Sequence, residues 1–491
     1  LHTARLYLYS RHVPALRHEA TAMKVFHILP GLAAVALTGC ASVGPHYEGA
    51  PSGEHQKTFT GGIDSSPTPN KLDRWWRSLQ NPQLNHFTDR ALAQNFDLRI
   101  AQERLIQSRA ERRQIAASFL PQVSTTSGFA NRRSSENTAE AQSGIFASIV
   151  DQWDLGADVR WEVDVFGGGR RRTESAQASA EATQERVYAA RLATLSEIAE
   201  SYFLVAGFQA QLIIIDENIS LQAQTLALVE QRRDAGFSNK LDVQRAHAQL
   251  ESTRAAKPTL ESGLTTQARR LSLLLGMQPA ALDDQLAHWH SFPTNLPMVR
   301  SGLPAELLTR RPDLRQAERT LAAATADIGV ATANFYPRFF LLGQRQQVSA
   351  NTGNLFGASS FAWQFAPRVD WSLFSSGRNR ALLDAANARQ REAMLIYEKS
   401  VISAIAEVES QLAILQAAHR RLAAIQKAVT ASSTAVELAK QLHESGRSNL
   451  LDLLVEEQRL NVLSLDQVRS KTALTLAWIR LHQALGGGWQ P

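Results

Sequence analysis

Trp153-Asp154-Leu155-Gly156-Ala157-Asp158-Val159-Arg160-Trp161-Glu162-Val163-Asp164-Val165 alternates without a break. Its odd positions are apolar or aromatic and its even positions are glycine or charged, the two-residue period of a β-strand. A second stretch repeats the pattern. Phe361, Trp363, Phe365, Pro367, Val369, Trp371 and Leu373 fall on one side, with Ala362, Gln364, Ala366, Arg368, Asp370 and Ser372 between them. A soluble sheet laid on a core would show the same period. A strand crossing a bilayer needs roughly 9–11 residues of it, with aromatic belts at its ends, and Trp153, Trp161, Trp363 and Trp371 suit such belts. On that reading Asp158, Arg160, Glu162, Arg368 and Asp370 line a water-filled lumen on the opposite face. Each strand is expected to pair with a preceding one, at about 122–133 and 338–348, across polar external loops at 134–150 and 349–360. Pro367 lacks an N–H and calls for a bulge or an unpaired position.

The two strands belong to a tandem duplication. Asp97-Leu98-Arg99 matches Asp313-Leu314-Arg315, and Leu120-Pro121-Gln122 matches Tyr336-Pro337-Arg338. Phe166-Gly167-Gly168-Gly169-Arg170 pairs with Phe374-Ser375-Ser376-Gly377-Arg378, Gly236–Asp242 with Gly446–Asp452, and Leu275-Gly276 with Leu485-Gly486. Proline is absent from 122 to 257 and from 368 to 490, so each half has room for two long helices. A helix of about 65 residues spans roughly 100 Å and must pack along its length. Val187, Leu192, Leu195, Ile198, Phe203 and Val205 form one seam, and Ile396, Val401, Ile405, Val408, Leu412 and Leu415 the other. Pro258 is expected to bend or break the return helix of the first half.

The chain has 491 residues, a net charge of +6 and one cysteine. A lone cysteine excludes an internal disulfide framework and any multi-cysteine metal site. The segment before Cys40 carries Arg5, Arg11, Arg17 and Lys24 against Glu19, half of the +6. The remainder, near +3, gives no strong case for nucleic acid, whose binding proteins usually carry a concentrated basic stripe. From Met23 a lysine and a short apolar run lead to Leu37-Thr38-Gly39-Cys40, the form of a secretory signal too short to span a bilayer. The run resembles a lipobox, in which cleavage leaves an acylated N-terminal cysteine; Ala41 after it fits export to the outer membrane. Residues 1–22 are read as an upstream over-extension of a start at Met23.

The predicted organisation is a signal peptide at 23–39, a lipid anchor and extended tether at 40–74, a first repeat at 75–276, a linker at 277–303, a second repeat at 304–486 and a tail at 487–491. The first repeat holds strands at about 122–133 and 153–165 and helices at 170–235 and 239–276. The second holds strands at about 338–348 and 361–374 and helices at 378–445 and 449–485. Four strands cannot close a barrel, and open edges are not viable in lipid. Three chains supply twelve strands and a water-filled lumen, although a dimer or a tetramer also satisfies the strand arithmetic.

Taken together, Leu37–Cys40, Trp75-Trp76, Asn95–Arg99, Arg311–Arg315, Phe335-Tyr336-Pro337, the Gly167–Arg170 turn and the two Gly-to-Asp turns resemble the TolC family of outer-membrane efflux proteins, in its lipoprotein branch. The resemblance runs from the lipobox to Gly486. It implies a homotrimer with a twelve-stranded transmembrane β-barrel continued by a helical periplasmic barrel. It also implies a periplasmic adaptor and an inner-membrane pump as partners, a covalent lipid on Cys40 and no other cofactor, and a passive duct rather than an enzyme. The family narrows its tunnel at the turns joining the long helices, here Gly236–Asp242 and Gly446–Asp452. Asp452 matches the first of two acidic positions, whereas Val455 occupies the second, with Glu456 and Glu457 just beyond. His443 stands where the family often has tyrosine. Asp452 is the constriction candidate; a solvated aspartate at a helix start is the alternative role.

The exit duct of a type I protein secretion system shares this fold, and a periplasmic coiled-coil lipoprotein scaffold is the reading from another class. Gly167-Gly168-Gly169-Arg170 lacks the Lys-Ser/Thr of a phosphate-binding loop and reads as a tight strand-to-helix turn. His288 and His290, with Asp283 and Asp284 upstream, match no metal-ligand spacing.

Overall fold

The computed structural model describes residues 42–50, 58–59, 72–133, 135, 149–287, 292–293, 295–299 and 304–489. The lipobox with Cys40 and the His288/His290 pair lie outside them. Helices α1 (Pro82–Gln94) and α2 (Phe96–Ala117) precede strands β1 (Gln122–Arg133) and β2 (Ile149–Val163). Next come α3 (Gly168–Asp234) and α4 (Lys240–Leu274), a short turn at Asp283–Leu286, then α5 (Pro304–Arg310) and α6 (Pro312–Ala333). Strands β3 (Arg338–Ser349) and β4 (Phe361–Asp370) and helices α7 (Arg378–Glu444) and α8 (Leu450–Ala484) complete the chain. Partners across the duplication have equal length: 22 residues in α2 and α6, 67 in α3 and α7, 35 in α4 and α8.

Two compact units divide the chain. One holds the described part of residues 1–45 with Ala116–Arg172 and Asp327–Leu383. Its four strands form one antiparallel sheet in the order β1-β2-β3-β4, so the hairpins of the two repeats join through β2 and β3. Each repeat fastens its sheet in the same way: Trp161 Nε1–H donates to the Phe119 carbonyl and Trp371 Nε1–H to the Phe335 carbonyl, both at 3.0 Å.

The second unit holds His46–Ile115, Thr173–Ala326 and Asp384–Pro491. Its core gathers Trp75, Trp76, Phe87, Leu195, Ile198, Tyr202, Phe203, Val401, Val408, Leu412 and Trp478, which places most of the two seams as expected. Ile396 departs from them and is exposed. The repeats converge on one geometric solution with different chemistry. Asn95 Nδ2–H donates to the carbonyl of Leu274 at the end of α4 (2.8 Å), and Arg311 Nη1–H to that of Ala484 at the end of α8 (2.8 Å).

Several boundaries differ from the sequence expectation. β2 stops at Val163 because the Asp164 carboxylate turns to cap α3, accepting from Gly169 N (3.0 Å) and Arg170 N (2.8 Å). Two backbone donors of the glycine turn, those of Gly169 and Arg170, are thus taken by the chain's own carboxylate, as a tight strand-to-helix turn requires. β4 ends at Asp370, where Trp371 leaves the ladder for Phe335. Gly167, rather than Gly169, is the structural counterpart of Gly377: both have positive φ, +78° and +82°, directly before a 67-residue helix. Pro258 does not break α4. It lies on an exposed face, where water can satisfy the carbonyl of Arg254 that loses its N–H partner. Pro367 sits opposite Leu341 in an unbroken register, with no bulge, on an outer strand of the sheet. The segment after Cys40 is not a free tether where it is described. Tyr47 packs on Ala178, Ala322 and Ala323, its hydroxyl 3.3 Å from Glu318 Oε1, and Phe59 is buried in the core.

Candidate functional site

A side chain's face in a sheet follows from register, since directly opposed residues project to the same side. The register sets Asp158 against Ser124 and Gln344, Arg160 against Gln122 and Leu342, Glu162 and Arg368 against Phe340, and Asp370 against Arg338. All five expected lumen residues therefore share one face. Three of them are held by ion pairs there: Arg338 Nε–H donates across the strands to Glu162 Oε1 (2.8 Å), and Arg368 Nε–H along β4 to Asp370 Oδ1 (2.7 Å). The ring of Phe340, 5% exposed, lies between the guanidinium groups of Arg160 and Arg338 at 5.1 and 5.3 Å. Sequence reading missed Arg338 and Phe340. β3 alternates less cleanly than β2, and Arg338 becomes legible only through its register with Asp370.

The opposite face carries Val123, Phe129, Trp153, Leu155, Val159, Trp161, Leu341, Phe361, Trp363, Phe365 and Val369. Trp363 is 71% and Phe365 63% exposed, so among the described residues nothing covers this part of the apolar, aromatic face. Two cations interrupt it: Arg133, opposite Ile149 at the end of β1, and Arg345, whose guanidinium lies 5.3 Å over the ring of Phe361, near the loop end of the hairpin. An arginine stem can cover apolar surface while its head stays at a wet boundary. β1 and β4 each have a single neighbour in the sheet, and their outer backbone groups face away from it.

In the helical unit, the turns after α3 and α7 are built alike. Gly236 and Gly446 take φ of +82° and +74°, a left-handed conformation that closes the helix. Phe237 N–H returns to the Arg232 carbonyl (2.7 Å), and Arg447 N–H to the Leu442 carbonyl (2.8 Å). Asn239 then caps α4 by accepting from Asp242 N (2.9 Å), and Asn449 caps α8 by accepting from Asp452 N (3.0 Å). Val229, Val243, Ala439, Leu450, Leu453 and Leu454 pack all four helices together just behind the turns.

The two aspartates differ in their surroundings. Asp242 is half-buried, with Arg245 Nη1 at 3.7 Å and the Ser238 hydroxyl at 3.3 Å. The position equivalent to Arg245 is Val455, and among the described residues the exposed Asp452 carboxylate has no ion-pair partner. The helix cap is Asn449, so the Asp452 side chain is free of that duty. Neither following glutamate replaces the missing acidic position: Glu456 pairs with Arg459 (3.2 Å), and Glu457 is buried, accepting from the Thr225 hydroxyl (3.2 Å). Burial pushes the Glu457 carboxyl above its ordinary value, opposed by Thr225 and by Lys440. His443 is also buried, with Nε2 3.2 Å from Arg232 Nη1. Arginine only donates, so Nε2 accepts and the proton sits on Nδ1, 3.4 Å from the Ser448 carbonyl.

A family profile described as outer membrane efflux protein matches residues 87–277 and 303–487. The chain is 30% identical over 469 residues to the cation efflux system protein CusC of Escherichia coli O6:H1, covering 94% of this chain and 99% of that one. It is 30% identical over 483 residues to the toluene efflux pump outer membrane protein TtgI of Pseudomonas putida, covering 94% and 98%. Among solved structures, the outer-membrane channel OprN matches with a TM-score of 0.84 at 31% identity, over 92% of this chain and 100% of that one.

Proposed function

The chain belongs to the outer membrane efflux protein family, and from that premise we propose that three copies form a lipid-anchored duct through which small toxic compounds leave the cell. The observation that carries the reading is the sheet: polar and charged on one face, largely apolar and exposed on the other, with the outer edges of β1 and β4 unpaired among the described residues. In hydrocarbon an unpaired strand edge costs several kcal/mol per backbone group, so β4 of one copy must meet β1 of the next until the sheet closes. Closure with twelve strands puts Asp158, Arg160, Glu162, Arg368 and Asp370 on water and the aromatic face on lipid.

The helices support the same assembly. Leu395, Ile396, Ile402 and Ile414 stand exposed on α7, apolar surface that a neighbouring copy would bury. The exposed Asp452 would then recur three times around the axis at the turns, where a ring of carboxylates favours cations and resists leak. A periplasmic adaptor and an inner-membrane pump supply engagement and energy, so the duct needs no catalytic residue. The relatives named for cation and toluene efflux favour small cargo over exported protein. Negative-stain electron microscopy of protein extracted from outer membranes tests the assembly. Three-fold rings in top view are expected; compact monomers that stay in water without detergent would overturn it in favour of a scaffold.

A further inference from the structure

Residues 42–44 lie in a socket built from both repeats. The Val43 N–H donates to the Phe166 carbonyl at 3.1 Å. Arg171, 1% exposed, donates Nε–H to the Val43 carbonyl (3.0 Å) and Nη2–H to the Gly44 carbonyl (3.2 Å). The backbones meet closely. A Cβ on Gly44 would stand 2.5 Å from the Gly329 Cα, one on Gly167 2.7 Å from the Ser42 Cα, and one on Gly329 2.7 Å from the Arg171 Cγ. Recognition is through main-chain groups, which suits a segment of small residues.

The duplication supplies an internal control. Gly377 is the counterpart of Gly167, Ala381 of Arg171 and Arg113 of Gly329. A Cβ on Gly377 would meet nothing within 4 Å. Both repeats make the same sheet-to-helix turn, yet only one carries the buried arginine and the glycine that faces it. The turn itself therefore does not require the socket.

We infer that the socket is the docking site for the chain's own acylated N-terminal segment, and that it sets the depth of the lipid anchor. The inference rests on the reading of Cys40 as the acylated residue. Cys40 lies two residues before Ser42, so their Cα atoms are within about 7.6 Å. Ser42 touches Gly167, just past the end of β2 at Val163. The acyl chains would enter the bilayer beside that end of the sheet, where Val163, Phe339 and Val369 share the apolar face. The lipid is then a peg at a fixed level, not a leash.

Two probes test this in full-length protein in outer membranes. Acylation consumes the native thiol, so a Ser42→Cys variant reports docking by its rate of reaction with a water-soluble maleimide. Diazirine-bearing palmitate fed to the cells reports where the acyl chains lie. Gly44→Ala sets a methyl group against the Gly329 backbone and changes no residue of the sheet or the helices. Added to Ser42→Cys it should raise the maleimide rate roughly tenfold or more, as loss of even one hydrogen bond to a charged group would. Photocrosslinks from the acyl chain to peptides containing Val163 and Phe339 should fade with it. An unchanged labelling rate, or an unchanged crosslink pattern, overturns the inference. Absence of palmitate from the parent protein would refute acylation of Cys40 itself, and the maleimide probe would still decide whether the segment docks.

Discussion

Phe365 and Gln364 are neighbours in the chain on opposite faces of the sheet, and a charge placed at each position should have opposite consequences. Phe365 faces the same side as Gly343, between Trp363 and Pro367, and is largely uncovered. It lies four residues from one end of β4 and five from the other. At about 3.3 Å per residue that is roughly 13 and 17 Å, which puts it near the middle of a spanning strand. An arginine facing lipid at that depth costs about 2–4 kcal/mol per chain. Each 1.4 kcal/mol is a factor of ten, so Phe365→Arg should shift insertion about 30- to 1,000-fold toward the unfolded state. Gln364 faces Gln344 on the polar side, where an added arginine stays in water and costs within about 0.5 kcal/mol. Refolding of both variants into lipid vesicles across a urea series, read by resistance of the folded form to SDS at room temperature, would measure the contrast. Equal midpoints for the two variants would refute the assignment of faces, and with it the transmembrane sheet.

Asp452→Ala should raise single-channel conductance in planar bilayers and weaken cation preference, because Val455 supplies no counter-ion and the carboxylate stands alone; unchanged conductance and selectivity would remove it from the constriction. His482 gives a prediction in pH. It is buried against Trp478 and Trp75, with ring centroids at 3.9 and 5.5 Å, and burial lowers its pKa from 6.5 to about 4. The unfolded chain therefore binds the extra proton first, and stability is lost as pH falls from about 6.5 to about 4, by about 3 kcal/mol in all. His482→Phe should flatten the thermal midpoint of the detergent-solubilised protein across that window, and an identical slope in both proteins would exclude the imidazole as its source.

The features legible in the sequence were those governed by local period and by repetition. Thirteen alternating residues ending at Val165 and at Leu373 announced two strands, and paired landmarks located helices whose ends the structure moved by at most two residues. The shared face of Asp158, Arg160 and Glu162 followed from period two alone. The alternation of the second stretch puts Arg368 and Asp370 with them in expectation, while the contacts that relate the two strands, through Arg338 and Phe340, depend on the β2–β3 and β3–β4 registers, which no local pattern encodes. What stayed hidden depended on distant backbone meeting backbone. Gly44 reads as one more glycine in a polar stretch until Gly329 and Arg171 stand beside it. His443 could be flagged as a departure from the family pattern, but its acceptor role depends on Arg232, 211 residues earlier in the chain. The effect of Pro258 depends on its face being exposed, which the local sequence does not encode.

The equal helix lengths bear on how such a chain can change over time. The turns at Gly236 and Gly446 are held in one apolar cluster, and each ends a helix of 67 residues. Deleting one residue from α3 alone would draw its turn back by about 1.5 Å and rotate it by about 100° against its partner. Both seams would lose register along the way. Substitutions can accumulate freely between the halves, as Arg245 and Val455 illustrate, whereas length can change only in matched steps. The two halves are free to diverge in chemistry but bound to each other as rulers.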